Sequence, residues 1–221
     1  MSHKKELLLG FFALFYGFLL FLSLTTSFVN SDESWRFFYY FTNQSNIMGL
    51  LWLGLFGVFT FKKHSKFKSF LQNKTLLLSI TVYLSITYFI VIFVLSPFYK
   101  GTYEPLSSIT ELFHHNLTTF VMWFMFFAIP GTGIKPSFIR TLLVLIYPFV
   151  YMITTLIIGA NITFKDGSPA YPYGFINPNT YNNNCFLFIV IISALIGIFY
   201  SLSLLFVKLK EKFNTHINEV D

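Results

Sequence analysis

Residues 37–56 read Phe37-Phe38-Tyr39-Tyr40-Phe41-Thr42-Asn43-Gln44-Ser45-Asn46-Ile47-Met48-Gly49-Leu50-Leu51-Trp52-Leu53-Gly54-Leu55-Phe56, a polar turn set on top of an apolar run. The run continues to Phe61, long enough for a helix across a hydrocarbon core about 30 Å thick, which needs roughly 20 residues. At 100° per residue the polar stretch Thr42–Asn46 covers the whole helix circumference, so no rotation turns all of it away from lipid. Such a turn must be wrapped by protein or open to a wet cavity. One segment thus predicts a membrane helix with a polar site in it.

The rest of the chain agrees. Of its 221 residues 55% are hydrophobic, 21% aromatic and 11% charged, with mean hydropathy +0.64. Soluble domains carry about 25% charged residues, so this chain lacks the polar surface to cover itself in water. A soluble enzyme, a secreted disulfide scaffold and a disordered tail are excluded as readings. A lone cysteine, Cys185, builds neither an intramolecular bridge nor a cysteine metal site.

Six apolar segments have spanning length: about 7–29, 37–61, 75–95, 109–129, 139–159 and 185–207. The first is too long for a signal-peptide core and has no Ala-x-Ala-like cleavage site, so it reads as a retained span. None alternates polar and apolar residues as a barrel strand would. The expected fold class is therefore all-α, a polytopic membrane protein with six transmembrane helices in one domain over residues 1–221.

Basic residues set the expected orientation. Lys4 and Lys5 precede the first span, and Lys62, Lys63, Lys66, Lys68 and Lys74 fill the second connection. Lys135 and Arg140 occupy the fourth, and Lys208, Lys210 and Lys212 follow the last span. Of the 15 basic residues only Arg36, Lys100 and Lys165 fall on the other side. Both termini are expected in the cytoplasm. The low-charge, asparagine- and lysine-rich style suggests a bacterial cytoplasmic membrane. Topology and attraction to anionic headgroups account for the basic face, and no soluble domain exists to hold nucleic acid.

A second polar cluster lies in the fourth span. Glu111 and His115 are one turn apart, with His114 beside them and Thr118 and Thr119 below. A carboxylate one turn from a histidine orients the ring and stabilises its protonated form. Thr42 lies roughly 9 Å below Arg36, and His115 roughly 6–8 Å below the start of its span. Both spans enter from outside, so the two clusters are expected at similar depth in the outer leaflet. A third polar stretch, Asp166 to Pro178, returns to that side with Tyr171 and Tyr173 and reads as a cap or lid.

Plainer readings stand beside these. The Thr42–Asn46 turn serves equally as interhelical hydrogen-bond glue, the histidines as interfacial residues, and the tyrosines as part of an aromatic belt. The inner halves Leu50–Phe56 and Val121–Phe126 are closed and apolar, which disfavours a through path for transport.

Ser34-Trp35-Arg36-Phe37-Phe38-Tyr39-Tyr40-Phe41-Thr42 followed by Asn43-Gln44-Ser45-Asn46-Ile47 resembles the second-span signature of the androgen-induced-gene family of six-span membrane hydrolases. It is similar above all to bacterial membrane proteins that share the signature. Leu145-Ile146-Tyr147-Pro148, Gly159 and Tyr171-Pro172-Tyr173-Gly174-Phe175-Ile176-Asn177 resemble those bacterial relatives too, over roughly residues 10–205. The resemblance implies intramembrane hydrolysis of fatty acid esters of hydroxy fatty acids, with Thr42 as nucleophile and His115 as its partner, His114 being the alternative histidine. The proline that usually follows the family's histidine is replaced here by Thr118-Thr119-Phe120.

The chemistry is consistent with that implication. A threonine hydroxyl needs a base within about 2.6–3.2 Å. His115 is the candidate base with Glu111 as orienting group, and Asn43, Gln44 or Asn46 are candidate oxyanion donors. Ser45 is an alternative catalytic hydroxyl. The expected partner is a membrane lipid or lipid-like ester; no cofactor and no metal are expected. The rival functions are a non-catalytic lipid-binding membrane protein and a small-molecule transporter.

Overall fold

The computed structural model describes residues 2–31, 34–62, 66–96, 108–130, 138–182 and 184–220, with the side chains of 139–140 and 214–220 excepted. Lys63, Lys100, Lys135 and the side chain of Arg140, used above for topology, lie outside the described residues. The described chain is helical, and among these residues the only β-type pairing is an isolated bridge between Thr163 and Pro169.

Four helices among the described residues are long and apolar enough to cross a membrane: His3–Val29, Lys74–Leu95, Leu142–Asn161 and Cys185–Phe213. The segments expected as second and fourth spans are also helical. They fall outside that set because they carry the polar turns Thr42–Asn46 and Glu111–Asn116, which lower their mean hydropathy.

The chain divides into two compact units, 1–136 with 206–221, and 137–205. The first begins with α1 (His3–Val29), α2 (Ser34–Tyr39), α3 (Phe41–Thr60) and α4 (Lys66–Leu71). It continues with α5 (Lys74–Leu95), whose last turn, Val91–Leu95, is π-helical. The run 109–128, α6, is α-helix at Ile109–Glu111, π-helix at Leu112–Leu117 and α-helix at Thr118–Ala128.

Within this unit α1 packs on α3, α3 on α5 and α5 on α6. The inward stripe of α1, Leu9, Gly10, Ala13, Tyr16, Gly17, Leu20, Ser23 and Leu24, follows the helical period. Its small members let α1 and α3 approach closely, as small-residue seams do in membranes. A Cβ on Gly57 would lie 2.5 Å from Leu14 Cγ and 2.9 Å from Gly10 O, and one on Gly10 would lie 2.7 Å from Thr60 Cγ2. Below the polar turn the packing is dry: Leu53, Phe56, Met122 and Met125 are fully buried.

The expected second span is broken. Tyr40 adopts an extended conformation between α2 and α3. The polar turn itself explains how the break is tolerated: Asn43 Nδ2 donates to Phe37 O at 2.9 Å and Gln44 Nε2 to Phe38 O at 2.7 Å. Carbonyls released from the helical ladder are thus met by side-chain amides, as a break in an apolar setting requires.

At one end of the unit Glu6 receives Lys68 Nζ at 2.7 Å and Gln72 Nε2 at 3.2 Å, joining the start of α1 to α4. Lys210, buried in the C-terminal helix α8 (Cys185–Val220), donates to Phe126 O and to Ile129 O at the end of α6. A cation there meets carbonyls that have no intrahelical partner. The helix runs beyond the expected end at 207.

The second unit contains α7, the run 138–161, formed by Phe138–Thr141, the 3-10 turn Leu142–Leu145 and Ile146–Asn161. Tyr200 of α8 donates to Phe138 O at 3.2 Å and packs edge-on against the Phe138 ring. The loop after α7 is ordered by its own contacts. Asp166 accepts from the Ser168 backbone and hydroxyl, Gly167 turns the chain at φ +82°, and Tyr181 donates to Phe175 O. Tyr171 lies on Gly159, where a Cβ would meet its ring at 2.3 Å. Tyr173 stacks on Phe175. Tyr171 thus packs the loop against α7, and Tyr173 packs within the loop.

Candidate active site

Asn46 joins the two polar clusters. Its Nδ2 donates to Thr42 O at 2.8 Å within α3 and to His114 O at 2.9 Å in α6. Both acceptors are carbonyls, which only accept, so the carboxamide orientation is fixed and both amide hydrogens are engaged. Asn46 is fully buried, and its Oδ1 has no hydrogen-bond partner. That oxygen is an acceptor set inside the cluster, whereas the amide donors face backbone. Of the expected oxyanion donors, Asn43 keeps a second N–H beyond its bond to Phe37 O.

Thr42 is half-buried, and its carbonyl also accepts from Ser45 Oγ at 2.9 Å. Ser45 Oγ lies 3.2 Å from Thr87 Oγ1, which holds α3 against α5. Thr42 is therefore held through its backbone by the two residues that follow it on the same helical face, Ser45 and Asn46.

The histidines lie in the π-helical turn. In an α-helix neighbours point 100° apart, and the wider π turn brings consecutive side chains closer in direction. Both rings are buried, His114 at 3% exposure and His115 at 5%. His115 Nε2 is 2.8 Å from Glu111 Oε2, the one-turn pair expected from their spacing. Thr118 closes the turn by donating to Phe113 O at 2.8 Å, and Thr119 donates to Leu84 O of α5 at 3.0 Å.

The first helix completes the cluster through Tyr16 and Ser23, which the polar-turn pattern of the sequence does not single out. Tyr16 OH lies 3.0 Å from Thr118 Oγ1. Because the threonine proton is on Phe113 O, the tyrosine is the donor. The Tyr16 ring stacks on Phe113 at 5.9 Å. Ser23 Oγ lies 3.2 Å from His114 Nε2. A signal for both existed: Tyr16 and Ser23 are seven residues apart on the stripe of small and apolar residues that faces inward.

Two histidines, a carboxylate, several hydroxyls and one unpartnered carboxamide oxygen thus meet in one region of the first unit. His115 is oriented by Glu111 and His114 by Ser23. Cys185 is exposed and belongs to the second unit. Among the described residues no group of histidine, cysteine and acidic side chains is arranged to hold a metal ion. No protein-family model, no curated protein and no solved structure matches the chain.

Proposed function

We propose that the chain is a six-span membrane hydrolase of lipid-like esters, fatty acid esters of hydroxy fatty acids or similar, with both termini cytoplasmic. The observation that carries this reading is the bridge through Asn46, which ties the Thr42 backbone to the His114 backbone inside one buried polar cluster. Polar and ionisable groups are costly within a membrane and tend to mark function. The resemblance of the Thr42–Asn46 motif to the androgen-induced-gene family adds the reaction class. The common end shared by Glu6, Lys68 and Gln72 agrees with an N-terminus on the side of the basic connection.

In this reading Thr42 attacks the acyl carbon while His115 takes its proton. Glu111 faces Nε2, so Nδ1 is the receiving nitrogen, and productive attack requires substrate binding to bring Thr42 Oγ1 within about 2.6–3.2 Å of it. The second N–H of Asn43 supports the oxyanion. The ester bond breaks as the alkoxide takes the proton from His115. Water then attacks the acyl-threonine with His115 as base, and the proton passes from His115 to the departing Thr42 oxygen, giving the fatty acid and free Thr42. The surrounding Phe and Tyr side chains accommodate the hydrocarbon chain.

One observation favours a second reading, a non-catalytic lipid-binding protein. The Asn43, Gln44 and Asn46 amides and the Ser45 hydroxyl donate to backbone carbonyls, as structural glue would. A transporter is the weaker alternative because the lower half of the unit is closed by fully buried apolar side chains.

Hydrolysis of an acyl-ester panel by detergent-purified protein separates these readings. Thr42→Ala and His115→Ala, compared at equal folded amounts, are expected to lose roughly 10²–10⁴-fold in turnover, the usual range for removing general-base catalysis. Unchanged turnover in both moves the chemistry to other groups. No turnover in any folded sample favours lipid binding.

A further inference from the structure

A buried helical serine or threonine ordinarily gives its proton to the carbonyl one turn back on its own helix. Thr60, Thr81, Ser85, Thr87, Thr155 and Ser203 all do so in this protein. Thr25 and Thr26, the nearest hydroxyl neighbours of Ser23 in α1, do the same. Ser23 departs from the rule, as do Thr118 and Thr119 beside the π-helical turn, but its partner is a side-chain imidazole rather than a carbonyl. Its hydrogen bond is to His114 Nε2 at 3.2 Å, across to another helix, with Ser23 at 6% and His114 at 3% exposure.

Three constraints hold the pair in place. The small-residue seam of Gly10, Ala13 and Gly17 fixes α1 against α3. The Asn46 amide holds His114 by its carbonyl. The π-helical turn directs the ring toward α1, and such turns frequently occur at functional sites. Beside Ser23, Phe21 and Leu22 are exposed on the outer surface of α1, where a lipid chain can lie.

We propose that Ser23 is a second acyl-accepting nucleophile of this site, with His114 Nε2 as its base. The inference rests on the ester-hydrolase reading and adds a hydroxyl–imidazole pair independent of Thr42 and His115. Ser23 Oγ bonds to the acyl carbon as its proton passes to His114 Nε2. The carbon–oxygen bond to the alcohol breaks, and the departing alkoxide takes that proton. Water attacks the resulting ester with His114 as base, giving the fatty acid and free Ser23. A hydroxyl paired with an imidazole is the general arrangement of such nucleophiles.

The test is labelling of the detergent-purified full chain with an alkyl fluorophosphonate, followed by mass mapping of the modified residue. The expected result is an adduct on Ser23 in the Thr42→Ala protein, lost in Thr42→Ala/Ser23→Ala and in Thr42→Ala/His114→Gln. An adduct on Thr42 alone overturns this inference and leaves the hydrolase standing. No adduct on either residue, together with no ester turnover, overturns both. A thiol version guards against misfolding. In a Cys185→Ser background, Ser23→Cys is expected to react with iodoacetamide about tenfold faster than the same protein with His114→Gln, since a neighbouring imidazole favours the thiolate. Equal rates overturn the pairing as a nucleophile–base unit, because a purely structural contact does not activate the sulfur.

Discussion

Helices α1 and α3 are joined at one end by glycine and at the other, together with α6, by hydrogen bonds. In the lower seam Gly10 meets Thr60, Gly17 meets Leu53, and Gly57 meets Leu14 and the Gly10 carbonyl. In the upper cluster Tyr16 and Ser23 reach Thr118 and His114, while Asn46 reaches the His114 carbonyl. The seam depends on shape: a Cβ on Gly10 or Gly57 would clash, whereas one on Gly17 would sit in ordinary contact 3.6 Å from Leu53. The cluster depends on donors. In lipid there is little hydrophobic drive between helices, so close packing and hydrogen bonding are the two remaining means of association.

The largest expected effect is in the cluster. Asn46→Leu removes both donated bonds and strips the buried His114 carbonyl of this donor, while the Thr42 carbonyl keeps Ser45; the cost is about 2–4 kcal/mol, one unsatisfied carbonyl plus one ordinary bond. The midpoint of thermal unfolding in detergent should fall steeply; an unchanged midpoint would show that Asn46 is not what joins α3 to α6.

Gly57→Ala attacks the other region. Its Cβ would meet the Leu14 side chain and the Gly10 backbone, and only the former can move. Overpacking of this kind costs about 1–3 kcal/mol, partly offset by about 1 kcal/mol of helix propensity. The same unfolding assay should show a net loss in midpoint, whereas a gain would mean that the helices separate without penalty.

A smaller change sharpens the comparison. Tyr16→Phe keeps the ring stack on Phe113 and removes one donor from Thr118, which still donates to Phe113 O. A loss of about 0.5–1.5 kcal/mol is expected, and a loss as large as that of Asn46→Leu would make Tyr16 the main tie instead.

The smallest effect belongs to the ion pair at the end of the unit. Lys68→Met breaks the contact with Glu6, which retains Gln72. The pair is partly buried, with side chains 19% and 16% exposed, so it contributes about 1 kcal/mol, the upper end for pairs that water still reaches, and weakens with salt. The difference from the unaltered protein should shrink further in unfolding scans at high ionic strength.

The membrane class, the helical content and the presence of two polar turns were legible without coordinates, because composition and period report directly on what each helix must face. The 100° spacing likewise identified Thr42, Ser45 and Asn46 as one face, and Glu111 with His115 as a pair. Other features depended on contacts between segments far apart in the chain. The break at Tyr40 was hidden because Asn43 and Gln44 read as site residues while also meeting freed carbonyls. Asn46 read as a candidate oxyanion donor, but its direction is decided by a carbonyl 68 residues away. Ser23 lies 91 residues from His114, and its role depends on the close approach of α1 that Gly57 permits. Local sequence determines which groups a helix carries and on which face, since that follows from helical geometry. Which donor meets which acceptor depends on helix approach and turn register, and those are properties of the packed tertiary structure.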